Sequence, residues 1–382
     1  MAQKIKNGLL LLIFIFLFLP MLQQEFTLVP VEKFTGNFDK QLYHEFTWTE
    51  WWDGSFWNLR SQLLTEQVGF EGDFVKLNNQ LDYSLFHKYK SQSLVIGDNN
   101  CLFYREFLFP YYGKNFVGTQ AILGKVSKLK ALQDTFAHMG KSLVLIQAPC
   151  KVSYYADLIP AGFKALKRKT TNYEVLAHVA DSIGINHIDL NSWFVSLKPK
   201  TTDLLFTKES IHWSMYGSLI AADSCTHYLE QLRHVKMVRP CWTKIEHTRT
   251  ARYTDDDITK SIKMILPFSD DIYSYPEVTY PDSGITSRPR VIYIGDSFLF
   301  NWMKSRYLDN ANIHWEFWFY FKEIWDRYSQ DDNQPHKSMA GYDWVNAINN
   351  ADCIVLIYTS ANDAHLGDGF IEQAYQHYFP AK

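Results

Sequence analysis

Three short runs of apolar residues constrain the fold of this 382-residue chain more than any other feature. They cover residues 142–147, 290–294 and 352–358, and each has the length and composition of a buried strand. Helix-like segments, among them 121–139 and 173–183, alternate with these runs. Alternating helices and apolar strands are typical of a parallel sheet that is covered on both faces. The sequence therefore predicts an α/β fold of this kind.

The second apolar run leads directly into Gly295-Asp296-Ser297 and Phe298, a predicted tight turn with a serine at its tip. A serine at the end of a rigid strand is well presented for nucleophilic attack, and the glycine permits a sharp turn. A helix after the turn would point its free N–H groups at an oxyanion formed there. The alternative is an ordinary strand-to-loop turn in which Asp296 caps a helix.

A histidine stands just before a second predicted helix, in which Leu219, Ala222 and Leu229 recur at helical spacing. His212 would lie in the loop before this helix, where a general base can reach into a cleft. A serine and a histidine at the edges of regular elements are what nucleophilic acyl transfer requires. The histidine takes the hydroxyl proton during attack and returns it to the leaving group. The alternative is a purely structural histidine.

Polar residues also follow the other two apolar runs. Asn362 comes after the third run, where its amide could donate to an oxyanion or could simply form a turn. Lys151, in Pro149-Cys150-Lys151, comes after the first run. Active sites in parallel sheets gather at the carboxyl ends of the strands. Ser297, Lys151 and Asn362 are therefore expected in one cleft, which His212 must reach from its loop.

These motifs together resemble the SGNH hydrolase-like acetyltransferases of the alginate O-acetyltransferase family, which modify bacterial exopolysaccharides. His212-Trp213 comes before Gly295-Asp296-Ser297-Phe298. This is the order of that family, permuted relative to ordinary SGNH esterases. Residues 360–363 are similar to a degenerate Gly-x-Asn-Asp block of SGNH enzymes, and residues 94–104 are similar to the family's N-terminal motif. The resemblance spans roughly residues 70–364.

The resemblance implies an SGNH-like sheet with permuted motifs and an extracytoplasmic O-acetyltransferase. Ser297 would take an acetyl group as an ester with His212 as base, and a polysaccharide hydroxyl would accept it. A membrane-bound O-acyltransferase partner would pass the acetyl groups across the membrane. Neither a metal nor a nucleotide cofactor is expected. The residues expected to contact the oxyanion or the substrate are Asn362, Asp296, Lys151 and Trp213.

One position departs from the family pattern. The family's catalytic aspartate, two residues before the histidine, falls at Ser210. A hydroxyl can accept the imidazole N–H but cannot supply the negative charge that stabilises an imidazolium. Three explanations stay open. The enzyme runs on a Ser297–His212 dyad, another acid such as Glu209 or Asp203 reaches the imidazole, or the domain has lost catalysis and kept binding.

Two rival functions therefore remain. The same chemistry with water as acceptor gives a carbohydrate acetyl esterase, because transfer and hydrolysis differ only in how well the cleft excludes water and holds a sugar. A non-enzymatic scaffold that binds glycan or the acyltransferase is the second rival, and Ser210 is its support.

The N-terminus predicts export. Lys4 and Lys6 precede an almost purely apolar stretch over residues 8–22, which is the pattern of a signal sequence. No small-residue cleavage site follows, so an uncleaved signal anchor is favoured over a cleaved peptide. Lysines on the short N-terminal side predict that end inside and the body outside. The predicted location is the cell inner membrane, single-pass, with the body in the periplasm or outside the cell.

The predicted organisation is an anchor over residues 1–24, a membrane-proximal segment over 25–69 and a catalytic domain over 70–382. An irregular insertion at about 234–289 would form a lid or a partner surface. The net charge of −3 and the lack of a long basic run give no sign of nucleic-acid binding. The five cysteines show no CxxC spacing and the histidines no HExxH pattern, so no metal site is predicted.

Overall fold

The structure is a computed structural model that describes residues 2–30, 47–57, 69–89, 91, 93–266, 268–329 and 336–380. Much of the predicted membrane-proximal segment, residues 25–69, lies outside the described residues. The chain forms two compact units, residues 1–90 with 260–267 and residues 91–259 with 268–382. The predicted domain boundary at residue 70 stays a prediction.

The smaller unit contains the N-terminal helix α1 (Ala2–Phe26), followed by α2 (Trp48–Asp53) and α3 (Glu71–Phe86). Within α1, the stretch Gln3–Phe26 is long and apolar enough to cross a membrane, and it is the one such helix in the described part of the chain. Its apolar side chains are largely exposed. This helix fits a single-pass anchor or a signal peptide.

The larger unit is built around a sheet of seven strands in the order β10-β9-β8-β7-β11-β3-β4. The five strands from β8 to β4 run parallel, and β9 and β10 are added antiparallel at one edge. The predicted α/β class with a mostly parallel sheet is therefore confirmed. The strands of this unit are β1 (Leu94–Ile96), β2 (Leu102–Tyr104), β3 (Ser142–Ala148), β4 (His187–Asp189), β5 (Ile245–Thr248), β6 (Tyr273–Pro276), β7 (Arg290–Gly295), β8 (His314–Phe319), β9 (Glu323–Asp326), β10 (Lys337–Ser338) and β11 (Cys353–Thr359).

Helices cover both faces of this sheet and produce two apolar cores, one on each side. Helix α5 shows how the sequence specifies this packing, because Val126, Leu129 and Phe136 recur on its buried face. Leu123 is 37% exposed, and its neighbour Ile122 is buried. The helices are α4 (Arg105–Tyr111), α5 (Thr119–His138), α6 (Lys151–Tyr154), α7 (Ala161–Lys164), α8 (Asn172–Ser182), α9 (Leu190–Leu197), α10 (Met215–Arg233), α11 (Asp257–Ile262), α12 (Phe300–Lys304), α13 (Tyr307–Ala311), α14 (Trp344–Asn350) and α15 (Phe370–Tyr378).

The central strands β3, β11 and β7 are the three apolar runs that the sequence singled out. Their register pairs Thr359 with Ala148 and Ile357 with Gly295. The three strands therefore end at the same edge of the sheet, and the segments that follow them meet there. The predicted insertion at 234–289 contains β5 and β6, which pair antiparallel, and α11.

Candidate active site

Strand β7 ends in a turn that presents Ser297 at the carboxyl edge of the sheet. A Cβ atom on Gly295 would lie 1.9 Å from the Ile357 carbonyl oxygen. The glycine is therefore required by the close approach of β11 rather than by an unusual turn conformation, which corrects the reason given from sequence. Only a short 3₁₀ turn, Ser297–Leu299, and the five-residue α12 follow. A long helix after the serine is therefore absent from this part of the chain, which the structure describes.

His212 reaches this turn from the loop before α10, as the sequence predicted. Its Nε2 lies 2.8 Å from Ser297 Oγ, which is hydrogen-bond distance. The Phe298 ring packs against the imidazole with a centroid separation of 5.1 Å, which restricts its rotation. The His212 side chain is only 12% exposed. The nucleophile and the base predicted from sequence are thus in direct contact.

An acid that the sequence analysis did not name completes the set. Asp257 Oδ2 lies 2.5 Å from His212 Nδ1, and Asp257 Oδ1 accepts a hydrogen bond from the Ile211 N–H at 2.9 Å. With Nδ1 donating to this carboxylate, Nε2 is left as the acceptor for the serine hydroxyl. Asp257 is the first residue of α11, inside the predicted insertion. The available signal was the run of three aspartates at 255–257.

Ser210, at the position of the family aspartate, has a different role from the one expected. Its hydroxyl accepts a hydrogen bond from the His212 backbone N–H at 2.9 Å, and its side chain is fully buried. It therefore shapes the backbone turn before the imidazole. The sequence placed Ser210 among the catalytic residues, at the position of the triad acid. That placement is corrected, because the side chain that contacts His212 Nδ1 is Asp257.

The two acids that the sequence offered as replacements are engaged elsewhere. Glu209 accepts hydrogen bonds from the N–H groups of Phe268 and Ser269, both at 2.7 Å, and from the Tyr273 hydroxyl. These bonds tie residues 268–273 to the histidine loop. Asp203 accepts from His247 and from the Ser274 hydroxyl, away from His212.

Of the three explanations left open by the sequence, the structure agrees with the one in which another acid reaches the imidazole. That acid is Asp257 rather than Glu209 or Asp203. Both acids instead stabilise the insertion that carries Asp257, because their partners lie within it.

Lys151 is not a substrate-facing residue, which corrects the prediction made for it. The side chain is fully buried, and its ammonium donates to the carbonyl oxygens of Lys208 at 2.7 Å and Ser210 at 2.8 Å. Burial lowers the pKa of Lys151, partly offset by nearby groups such as Cys101 and Asp257. Lys151 therefore holds the strand end β3 to the loop that carries His212.

Trp213 was also expected near the substrate, and it is buried instead. Its Nε1 donates to the Phe298 carbonyl oxygen at 3.0 Å, and its ring stacks on Trp302 with centroids 5.7 Å apart. The backbone carbonyl of Trp213 accepts from the Asn301 amide at 2.9 Å. Trp213 thus joins the histidine loop to the turn that carries Ser297.

Asp296 and Asn362 form a pair beside the serine. Asn362 Nδ2 donates to Asp296 Oδ2 at 2.8 Å, and the same oxygen accepts from the Thr359 N–H at 2.8 Å. Asp296 is fully buried, and burial raises its pKa. Asp296 is therefore an anchor between β7 and β11 rather than a contact for substrate. Asn362 is half-buried at the same edge, with one amide hydrogen used by Asp296.

A second buried carboxyl, Asp255, lies two residues before Asp257. Its Oδ1 accepts from the N–H of Met215, in the first turn of α10, at 3.0 Å. Burial raises the pKa of Asp255 to about 7, and the neighbouring charges of Asp257 and Asp256 act in the same direction. The first turn of the helix after His212 thus depends on a buried aspartate whose pKa lies well above its usual range.

This pKa predicts a pH-dependent stability. An unfolded aspartate ionises near about pH 4, so the folded chain retains a proton between about pH 4 and pH 7 that the unfolded chain has lost. Stability should therefore fall as the pH rises through this window. In Asp255→Asn we expect a smaller fall, because the amide oxygen still accepts from Met215 and no charge is buried. Thermal unfolding across this pH range measures the difference.

Asp282→Asn is the matched control, since this carboxylate is 78% exposed in the same insertion. If the melting temperature of Asp255→Asn falls with pH as steeply as that of the wild type, the prediction is contradicted.

The described residues contain no group of three or more His, Cys, Asp or Glu side chains placed to hold a metal ion. The five cysteines, all in the described ranges, are free thiols, and Cys150 and Cys353 are buried. The Ser297 hydroxyl, the His212 imidazole and the Asp257 carboxylate are hydrogen-bonded one to the next. Nucleophilic acyl chemistry needs these three groups in this order.

Solved structures share part of this architecture. The O-acetyltransferase domain of Pseudomonas putida AlgJ is 17% identical with a TM-score of 0.49, and the match covers 75% of this chain and 99% of that chain. Pseudomonas aeruginosa AlgX is 14% identical with a TM-score of 0.44, covering 76% and 71% respectively. Bacillus cereus PatB1 is 11% identical with a TM-score of 0.40, covering 64% and 91%.

The comparison with curated proteins gave no match. Residues 94–262, however, match the family model described as SGNH hydrolase-like domain, acetyltransferase AlgX. This range includes His212 and Asp257 and ends before Ser297. The match confirms the resemblance predicted from the motifs, since residues 94–262 are similar to the SGNH hydrolase-like domain of the AlgX acetyltransferases.

Proposed function

We propose that this chain is an extracytoplasmic O-acetyltransferase that carries an acetyl group on Ser297 and delivers it to a hydroxyl of a polysaccharide. The observation that carries this conclusion is the continuous hydrogen-bonded chain from Ser297 Oγ through the His212 imidazole to the Asp257 carboxylate. The match to the AlgX family model supports acyl transfer as the class of reaction.

In the first half-reaction, Ser297 Oγ attacks the carbonyl carbon of an acetyl donor. A C–O bond forms, the carbonyl π electrons move to oxygen, and the hydroxyl proton passes to His212 Nε2. Asp257 stabilises the resulting imidazolium through Nδ1–H. The tetrahedral intermediate then expels the donor's leaving group, which takes the proton from His212 and leaves an acetyl ester on Ser297.

In the second half-reaction, a sugar hydroxyl takes the place of the leaving group. His212 Nε2 removes its proton, and the sugar oxygen attacks the acetyl carbon. The new tetrahedral intermediate expels Ser297 Oγ, which regains its proton from the imidazolium. The product is an O-acetylated sugar, and the serine is ready for another cycle.

Each tetrahedral intermediate carries a negative oxygen that needs hydrogen-bond donors. The backbone N–H of Ser297 and the second amide hydrogen of Asn362 are the donors that we assign. Asp296 fixes the Asn362 amide through the 2.8 Å hydrogen bond. A donor that is already oriented costs little reorganisation when charge develops.

The membrane helix supports an extracytoplasmic location. Lys4 and Lys6 lie on the short N-terminal side of the apolar stretch in α1. The positive-inside rule then leaves the larger unit on the outer side of the cell inner membrane. An acetyl donor must be delivered there, and a membrane-bound O-acyltransferase is the partner that we propose for this step.

Hydrolysis is the second candidate, and one observation favours it. The Ser297 side chain is half-buried rather than sealed, so water can approach the acetyl ester. The inactive scaffold loses its main support, because that idea rested on Ser210 and Asp257 supplies the missing acid.

The full chain in detergent micelles, given p-nitrophenyl acetate and a panel of neutral and uronic-acid oligosaccharides, tests the proposal. Acetylated oligosaccharide detected by mass spectrometry, and absent with Ser297→Ala, is the expected result. Release of acetate alone, again dependent on Ser297, would replace transferase by esterase. Equal rates in the wild type and the variant would overturn both enzymatic assignments.

A further inference from the structure

Tyr320 follows strand β8 directly and lies beside the serine turn. Its backbone N–H donates to the Gly295 carbonyl oxygen at 2.9 Å. Because β8 pairs with β7 up to the Phe319–Gly295 pair, the next residue of each strand leaves the sheet at the same edge. The phenol of Tyr320 is therefore placed near Ser297 by the same sheet register that ends β7.

The backbone at this position is unusual. Tyr320 has φ of 47° and Phe321 has φ of 52°, both in the left-handed region that bulky side chains rarely adopt. The turn is held by hydrogen bonds from the N–H groups of Phe321 and Lys322 to the carbonyl oxygens of Trp318 and Phe319. Bulky residues with a left-handed backbone conformation cluster at functional sites, where the backbone strain is tolerated because it orients a side chain.

The hydroxyl of Tyr320 lies close enough to the side chains of Ser297 and Asn362 for both to lower its pKa. It therefore lies within reach of the reacting oxygen and of the amide that Asp296 holds. Burial, with the nearby charge of Asp296, raises the pKa of Tyr320 to about 12. The phenol thus stays protonated at neutral pH and is able to donate. The Phe319 ring packs against the phenol ring with centroids 4.5 Å apart and limits its motion.

We infer that Tyr320 is a further catalytic residue, whose hydroxyl donates a hydrogen bond to the negative oxygen of the tetrahedral intermediate. When Ser297 Oγ bonds to the acetyl carbon, the carbonyl π electrons move to oxygen and the serine proton goes to His212 Nε2. The Tyr320 hydroxyl then donates a hydrogen bond to this oxygen and keeps its own proton.

This inference rests on the proposed acyl transfer through Ser297, and one assay separates the two. Tyr320→Phe removes the hydroxyl and keeps the ring. Loss of one oxyanion donor lowers kcat by roughly 10²–10³-fold, so we expect about 10²-fold for the full chain with p-nitrophenyl acetate. KM should change by less than about threefold, because the donor acts mainly on the transition state. The melting temperature should stay unchanged.

Tyr328→Phe is the matched control, since that side chain is 89% exposed. A kcat of Tyr320→Phe within about threefold of wild type, or a rise confined to KM, would overturn the inference. If the wild type is no faster than Ser297→Ala, the proposed function itself fails. If the wild type exceeds Ser297→Ala and Tyr320→Phe matches the wild type, only the role of Tyr320 fails.

Discussion

Ser297→Ala is expected to lower kcat for acetyl-ester turnover by about 10⁶-fold, the loss that follows removal of a serine nucleophile that works with a histidine. The physical reason is that the base acts on this hydroxyl, since His212 Nε2 lies 2.8 Å from Ser297 Oγ. A stopped or continuous p-nitrophenyl acetate assay on the full chain measures the loss. Ser283→Ala is the control, because Ser283 is exposed and outside the site.

The effects of changing Ser297 and His212 on kcat should not be additive. Once the nucleophile is gone, His212→Ala should cost almost nothing further, because the two side chains act as one unit. A double variant that is much slower than Ser297→Ala alone would show that His212 has a separate role. A residual rate in Ser297→Ala close to that of the wild type would contradict the assignment of the nucleophile.

Asp257→Asn is expected to lower kcat by about 10⁴-fold, as amide replacement of a triad aspartate does in a serine protease. The amide cannot stabilise the imidazolium and favours the wrong tautomer at Nε2. The geometry should persist, because the amide oxygen of the variant can still accept from the Ile211 N–H, as Asp257 Oδ1 does at 2.9 Å. Steady-state kinetics with the same ester gives the number, and circular dichroism checks the fold.

Two controls sharpen this result. Asp282→Asn changes an exposed acid in the same insertion and should leave kcat within about twofold. Ser210→Asp should not raise kcat, because the Ser210 side chain faces the His212 backbone N–H and not the imidazole. A clear gain from Ser210→Asp, or full activity in Asp257→Asn, would show that another group orients the histidine.

The parts of the fold that sequence reasoning found are those with local signals. The apolar runs that became β3, β7 and β11 each carry their strand character within six or seven residues. Their shared direction follows from the helices between them. Ser297 and His212 could be named because each stands at the end of such a local pattern.

The parts that were missed depend on contacts between distant segments. Asp257 lies 45 positions after His212, and the run of three aspartates at 255–257 does not by itself indicate that one of them contacts the imidazole. Lys151 and Trp213 show the reverse error. Their motif position pointed to the substrate, but burial against backbone carbonyls and rings gives them structural roles, and burial is a property of the packed core.

The place of Asp257 has a consequence for how chains of this kind are sorted. A pattern search that requires an acid two residues before the histidine would classify this protein as catalytically inactive. Here the carboxylate that contacts the imidazole comes from a different segment, 45 positions after the histidine. Pseudoenzyme status in such sequences should be judged on three-dimensional neighbours of the imidazole rather than on spacing.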